Sequence, residues 1–240
     1  MKRYIPITLP CEPSIIGVKN GIYQCEIKPK KFNSLTEYNN LSHFYDSYEF
    51  DSKKNRKIDR ISEIEYCQLL KKAYLTNILS FSPYLFGCHF VLDEKAYSIF
   101  RNFNFGEYSE FIPLKLFDNK GQLVREKYYL LFQDLILNSW IDFKNSLFYK
   151  GHSFTKDKEY FNFINPIDYK NELFVDTENI VLSHNFNSNL DFFKTRIDTN
   201  YFASEKLMLE IEKNELTGII KTERINKITI AKHLSSNAAR

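Results

Sequence analysis

The segment Asn200-Tyr-Phe-Ala-Ser-Glu-Lys-Leu-Met-Leu-Glu-Ile-Glu-Lys-Asn-Glu-Leu-Thr-Gly-Ile-Ile220 constrains the fold more than any other stretch of this chain. Tyr201 and Phe202 close an extended run. Ser204 comes next, and its hydroxyl can accept a hydrogen bond from an orphan amide one turn on, which makes it a helix N-cap. Leu207, Met208 and Ile211 recur on one face at the 3.6-residue period, while Glu205, Lys206, Glu210, Glu212 and Lys213 fall mostly elsewhere. Asn214 tolerates a left-handed backbone and is the expected helix exit. Leu216-Thr-Gly218 then turns the chain, and Ile219-Ile220 opens another strand.

The same grammar occurs earlier, from His89 to Phe103. Phe90-Val-Leu92 reads as a strand, Asp93 as the cap, and Glu94-Lys95 matches Glu205-Lys206. Ala96, Ile99, Phe100 and Phe103 are spaced as a buried helical face. Glu110 to Leu116 is the next strand. Two copies are too few for a solenoid. The expected fold is therefore α+β: mostly antiparallel sheets with a few short amphipathic helices, and a strand-helix-strand unit used twice.

Composition narrows the class. Of 240 residues, 43% are hydrophobic and 26% charged, which predicts a folded chain rather than a disordered one. Net charge is +3, too small to argue for a nucleic-acid partner. The basic run Lys53, Lys54, Arg56, Lys57 and Arg60 reads as a solvated loop. The four cysteines (Cys11, Cys25, Cys67, Cys88) show no metal-ligand or redox spacing and suit a reducing compartment. No export signal is convincing, because Pro6 and Pro10 interrupt the stretch after Met1-Lys-Arg. Ala73 to Leu92 carries no formal charge, but Asn77, Ser80, Ser82, Pro83, Gly87 and His89 break any apolar run long enough to span a bilayer. It reads as a helix end, a loop around Pro83 and a buried strand.

Other local signals set further expectations. Ile5, Ile7 and Leu9 alternate between prolines, as on an edge strand. Asn20-Gly21 predicts a hairpin between Ile15–Val18 and Ile22–Ile27. Tyr38 to Phe50 is ambiguous. Ser62-Glu-Ile-Glu65 matches a capping box, and the predicted helix runs to about Tyr74, burying Ile64, Cys67 and Leu70. Asp118-Asn-Lys-Gly121 is a turn joining Phe111–Phe117 to a strand centred on Tyr128–Phe132. Trp140 is expected in the core or half-buried, and Asp142 and Ser146 bind backbone across a bend. Short strands are predicted at Phe161–Ile164, Leu173–Val175 and Ile180–Leu182. The organisation expected is a divergent N-terminal region over 1–75, an α+β domain over 76–230 and a flexible tail from Ala231 to Arg240.

No catalytic group, cofactor or metal site emerges. Cys88 and His89 are adjacent, so on a strand their side chains face opposite ways, which is wrong for a nucleophile and its base. His43, His89, His152, His184 and His233 lack ligand spacing. The glycines form no phosphate loop. Asp176 and Glu178 read as solvated acids in a turn, and Ser204 reads as a cap rather than a nucleophile.

Three blocks together resemble the bacterial polymorphic-toxin immunity proteins of the "immunity protein eleven" type, formerly a domain of unknown function. They are Phe90-Val-Leu-Asp-Glu-Lys-Ala with Glu110-Phe-Ile-Pro-Leu114, then Trp140-Ile-Asp-Phe-Lys-Asn-Ser146, then Phe202-Ala-Ser-Glu-Lys to Leu216-Thr-Gly218. They run in the family's order over about residues 85 to 225; residues 1–60 show no match. Asp93 stands where the family more often has Ser, and Asn214-Glu215 where a Gly is usual. The resemblance implies a cytoplasmic protein that binds a cognate secreted toxin and neutralises it by stoichiometric occlusion, without nucleic acid, membrane or cofactor. It also implies that the motif residues are scaffold, so that the toxin-facing surface lies in the N-terminal part and in loops such as Gly151 to Lys158. Two other classes stand beside it: an enzyme that reverses toxin damage, and a non-catalytic scaffold module.

Overall fold

A computed structural model describes residues 2–19, 21–46, 61–83, 85, 87–151, 157–222 and 228–230. In chain order, the first half contains β1 (Tyr4–Thr8), α1 (Pro13–Ile16), β2 (Cys25–Ile27), α2 (Leu35–Asp46), β3 (Ile64–Leu69), β4 (Ile78–Leu79), β5 (Phe81–Ser82), β6 (Cys88–Asp93), α3 (Glu94–Phe100), β7 (Ser109–Phe117) and β8 (Tyr128–Gln133). The second half contains β9 (Leu147–Lys150), β10 (Glu159–Phe161), α4 (Pro166–Lys170), β11 (Asp176–Leu182), β12 (Phe192–Lys194), β13 (Tyr201–Ser204), α5 (Glu205–Lys213), β14 (Ile220–Lys221) and β15 (Ile228–Ile230). The class is α+β with mostly antiparallel pairing, as expected; parallel pairs among the described residues include β3 with β7, β2 with β5 and β11 with β15.

The chain divides into two compact units, each assembled from separate stretches of sequence. One comprises residues 1–8, 135–208 and 221–240; the other comprises 9–134 and 209–220. The second carries a seven-stranded sheet in the order β4-β6-β8-β7-β3-β2-β5, with α3 packed on β6 and β8. Its core includes Ile27, Ile64, Cys67, Val91, Ile112 and Leu130. The first carries two four-stranded sheets, β12-β13-β1-β14 and β10-β9-β11-β15. Aromatic rings fill its core: Tyr4, Phe143, Phe148, Phe163, Phe186, Phe193 and Phe202.

Both copies of the repeated unit form as read. Asp93 caps α3 by accepting from the Ala96 N–H at 2.7 Å, and Ser204 caps α5 by accepting from the Leu207 N–H at 3.2 Å. Leu207, Met208 and Ile211 are all buried. On α3, Ala96 and Phe100 are buried, but Ile99 is only half so. The helix ends one turn sooner than the spacing suggests, and Phe105, not Phe103, completes the buried face. The exit of α5 also differs by one residue. Glu215, not Asn214, takes the left-handed conformation at φ 52°. Its N–H donates to Glu212 O, and the Leu216 N–H reaches back to Ile211 O, the paired bonds of a Schellman motif.

The largest correction is the helix expected after Ser62. Residues Ile64–Leu69 form strand β3, antiparallel to β2 and parallel to β7. A register shift between Ile64 and Cys67 lets two residues three apart both face the core, which imitates helical spacing. The capping-box residues are engaged elsewhere. The Ser62 N–H and hydroxyl donate to the Glu37 carboxylate, and Glu65 accepts from the N–H groups of Asn33 and Ser34. The cap itself belongs to α2, where Ser34 Oγ accepts from the Glu37 N–H at 3.1 Å. The helix end expected near Ala73 disappears with that helix, while the buried strand before Asp93 stands as β6.

Three smaller expectations also change. Ile15 lies in helix α1, and β2 pairs with β3 and β5, so no hairpin joins Ile15–Val18 to Ile22–Ile27; Asn20 lies outside the described residues. Strand β1 is internal, between β13 and β14. Its Pro6 is tolerated because the Pro6 carbonyl accepts from the Thr222 N–H. The missing Pro6 N–H therefore points to the short β14 side rather than to β13. Leu173 and Phe174 are not strand but exposed chain before β11, and the strand expected from Phe161 ends there as β10. Residues 38–46 of the ambiguous stretch belong to α2, and the rest of it lies outside the described residues. So do the basic run 53–60 and the tail from Ala231.

Candidate functional site

The residues most open to a catalytic reading are built into the scaffold. Cys88 and His89 are both buried on β6, and burial pushes the Cys88 thiol up, away from thiolate chemistry. His89 Nε2 lies 2.9 Å from the Gln133 carbonyl, an acceptor only, so that nitrogen carries the proton and donates. Ser204 Oγ donates to Asp191 Oδ1 at 2.9 Å while accepting its cap bond, so its proton and one lone pair are committed within the fold. Asp142 and Ser146 close a tight turn. The Asp142 carboxylate accepts from Asn145, and the Ser146 hydroxyl donates to Asp142 O while accepting from the Val181 N–H on β11. Trp140 is half-buried beside that turn, edge-on to Phe186 at 5.8 Å.

Thr217 and Gly218, the end of the last block, hold the edge strand β4. Thr217 O accepts from the Ile78 N–H, its hydroxyl accepts from the Asn77 N–H, and its own N–H donates to Asn77 Oδ1. Asn77 Nδ2 in turn donates to the Asp93 cap at 2.7 Å. Lys95 Nζ donates to Asn214 O, so the first copy's Glu-Lys pair ties directly to the end of the second copy's helix.

Asp176 is exposed, while Glu178 forms an ion pair with Lys158 at 3.2 Å. The two acids are not a pair. The four cysteines are free, and among the described residues no group of three or more His, Cys, Asp or Glu can hold a metal ion. His152 and His233 lie outside the described residues, as does the side chain of His43. Among the described residues no helix is long and apolar enough to cross a membrane.

One unusual titratable group carries no signal in the sequence. Lys194 on β12 is half-buried, donates to Thr199 O at 2.7 Å and lies 4.0 Å over the Tyr201 ring. Burial draws its ammonium down to about 8, with Asp198 pulling the other way. Asp198 is itself buried, accepting from the Thr177 hydroxyl and from the backbone and side-chain N–H groups of Asn200. No motif announces this cluster, because strand pairing and a turn assemble it. The unfolded chain holds the lysine proton to about pH 10.4. Between about pH 8 and 10.4 the unfolded state therefore binds more protons, and this group adds stability as pH rises. Wild type should gain on Lys194→Met by about 2–3 kcal/mol across that window. Urea titrations at pH 7.5 and 10.2 check it; the buried tyrosines and thiols are common to both proteins and cancel.

Among the described residues the surface carries a concentrated apolar feature. Five large hydrophobic side chains, Tyr160, Ile164, Ile167, Leu173 and Phe174, are exposed within the stretch from β10 to β11. Asn165 caps α4 there, accepting from the N–H groups of Ile167 and Asp168. Tyr169 turns inward against Phe143, Phe148 and Phe163, which leaves Ile167 on the outer side. Phe174 is 94% exposed and has φ 57°, a left-handed backbone that bulky residues rarely adopt. Leu173–Val175 reads as a strand in the sequence because the run is apolar; only the tertiary structure shows that two of its side chains face water. Of the loop expected to face a partner, Gly151 to Lys158, residues 152–156 lie outside the described set. No family model matches the chain, and no curated protein matches it.

Proposed function

We propose that the chain is a binding protein of the immunity type. It associates one-to-one with a cognate secreted bacterial toxin in the cytoplasm and neutralises it by covering the toxin's working surface, without chemistry of its own. The observation that carries the reading is the exposed apolar stretch between β10 and β11. A water-soluble surface seldom concentrates five large hydrophobic side chains in one short segment unless something covers them. Support comes also from the three sequence blocks. Asp93, Asp142, Ser146, Ser204 and Thr217 all hold backbone in place, as expected of a scaffold that presents a surface.

The test is co-expression with the product of the neighbouring toxin gene. Protection of the cell and recovery of a one-to-one complex are expected. Alanine at Cys88, His89, Asp142 and Ser204, one at a time, addresses the enzymatic alternative. Loss of protection in a variant that still folds and still binds the toxin would overturn occlusion in favour of damage reversal.

A further inference from the structure

We propose that residues 159–176 are the docking surface for the partner and that the partner face it takes is cationic, with apolar side chains among its lysines and arginines. This rests on the binding reading above and adds where binding occurs and what chemistry recognises it. The first observation is geometric. Ile164, Ile167, Leu173 and Phe174 lie within eleven residues that include the short helix α4, on the connection between β10 and β11, which both flank β9 at Phe148. Their exposures run from 68% for Ile167 to 94% for Phe174. Phe174 is unfavourable twice over, in its backbone conformation and in its wet ring. Backbone strain clusters at functional sites, and a partner that covered this ring would remove its exposure to water.

The second observation is charge. Four carboxylates, Glu159, Asp168, Glu172 and Asp176, share this stretch with one lysine, Lys170. Lys150, from β9, forms an ion pair with Glu172. The stretch stays negative even so, in a chain whose total is +3. Glu159 and Asp176 are exposed at its two ends, and neither has an ion-pair partner among the described residues. The Tyr169 hydroxyl registers the same field: its pKa is raised by burial first and by Asp198 and Asp176 second.

These charges select the occupant. A lipid surface or a nucleic acid is itself anionic and is repelled. A second copy of the chain, docked about a two-fold axis, would set this surface against itself and place carboxylates opposite carboxylates. A basic polypeptide face carrying apolar side chains satisfies both the rings and the acids. An area of roughly 800 Å² per partner is ordinary for such contacts, and the five side chains supply its apolar centre.

The experiment measures binding of an inactivated toxin, the product of the neighbouring gene, to the full chain and to three variants at 50 and 300 mM salt. Phe174→Asn removes the ring and suits the left-handed backbone, so its melting temperature should match or exceed wild type. Its affinity should fall at least about 30-fold, as should that of Ile167→Asp. The double variant Glu159→Gln/Asp176→Asn should associate roughly 3- to 10-fold more slowly at low salt and lose most of the salt dependence. Unchanged toxin affinity in all three variants would overturn the docking surface and leave the binding reading standing. A wild-type chain that does not bind the toxin at all would overturn both. A concentration-dependent dimer that Phe174→Asn dissolves would replace the toxin with a second copy of the chain as the occupant, overturning the proposal.

Discussion

Gly218→Ala should destabilise the unit built on the seven-stranded sheet by about 3–5 kcal/mol. Gly218 has φ 93°, where a side chain is strained whatever the space around it. Space is lacking as well. A Cβ would overlap the Ile78 carbonyl oxygen and lie 2.8 Å from Thr76 Oγ1. Ile78 belongs to β4, whose N–H donates to Thr217 O, so neither side can give without breaking the bonds that hold this edge. Gly121→Ala is the natural control. Gly121 has a similar φ of 83°, but its nearest prospective neighbour is the Tyr66 hydroxyl at 3.7 Å. It should lose only the conformational cost, about 1–2 kcal/mol. Trp140, the one tryptophan, belongs to the other unit. Far-UV circular dichroism during guanidinium unfolding therefore reads the difference. Equal midpoints for the two alanine variants would show that the close approach of Gly218 to β4 carries no stability.

Phe148→Ala should cost about 3–5 kcal/mol, and Phe148→Leu no more than about 1.5. Phe148 is fully buried on β9, between β10 and β11, where its partners are Phe161 and Thr177. Its ring stacks on Phe143 at 5.9 Å, meets Phe163 edge-on at 4.9 Å and touches Tyr169 at 5.6 Å. Truncation leaves a cavity walled by other rigid rings, which close poorly on empty space; leucine refills most of the volume. Trp140 lies against the same cluster, so its emission should report this transition directly. Tyr169 is also the inward anchor of α4. Phe148→Ala should therefore loosen the segment carrying Ile167 and Phe174 as well as lower the midpoint. Matching midpoints for the alanine and leucine variants would contradict this account of the core.

The parts of the fold legible in advance were those whose physics is local. A hydroxyl or carboxylate before an amphipathic run caps a helix whatever lies around it, so Asp93, Ser204 and the buried face of α5 read correctly. The turn after Asp118 is equally local. Asp118 Oδ1 accepts from the N–H groups of Lys120 and Gln122, and β7 and β8 run antiparallel on either side. Ser62-Glu-Ile-Glu65 shows where that logic stops. The pattern suits a cap, but Glu37 and Glu65 lie near each other's targets only after folding, and the bulge in β3 then places Ile64 and Cys67 inward together. A bulge and a helix give the same three-residue spacing, and nothing in the chain itself separates them.

Residue order alone was enough for the α+β class, the twice-used strand-helix-strand unit and the structural role of its capping residues, because each depends on interactions spanning a few residues. Long-range packing decided the rest. It gathered residues 1–8 and 135–208 into one unit and put β2 and β3 into the other unit's seven-stranded sheet. It lowered the Lys194 proton affinity by burying an ordinary lysine beside Tyr201. It also turned Leu173 and Phe174, which as letters read like part of a short strand, out into water. Burial belongs to the whole packed chain, so the apolar surface on which the proposed function rests became visible only once the core had been filled by other residues.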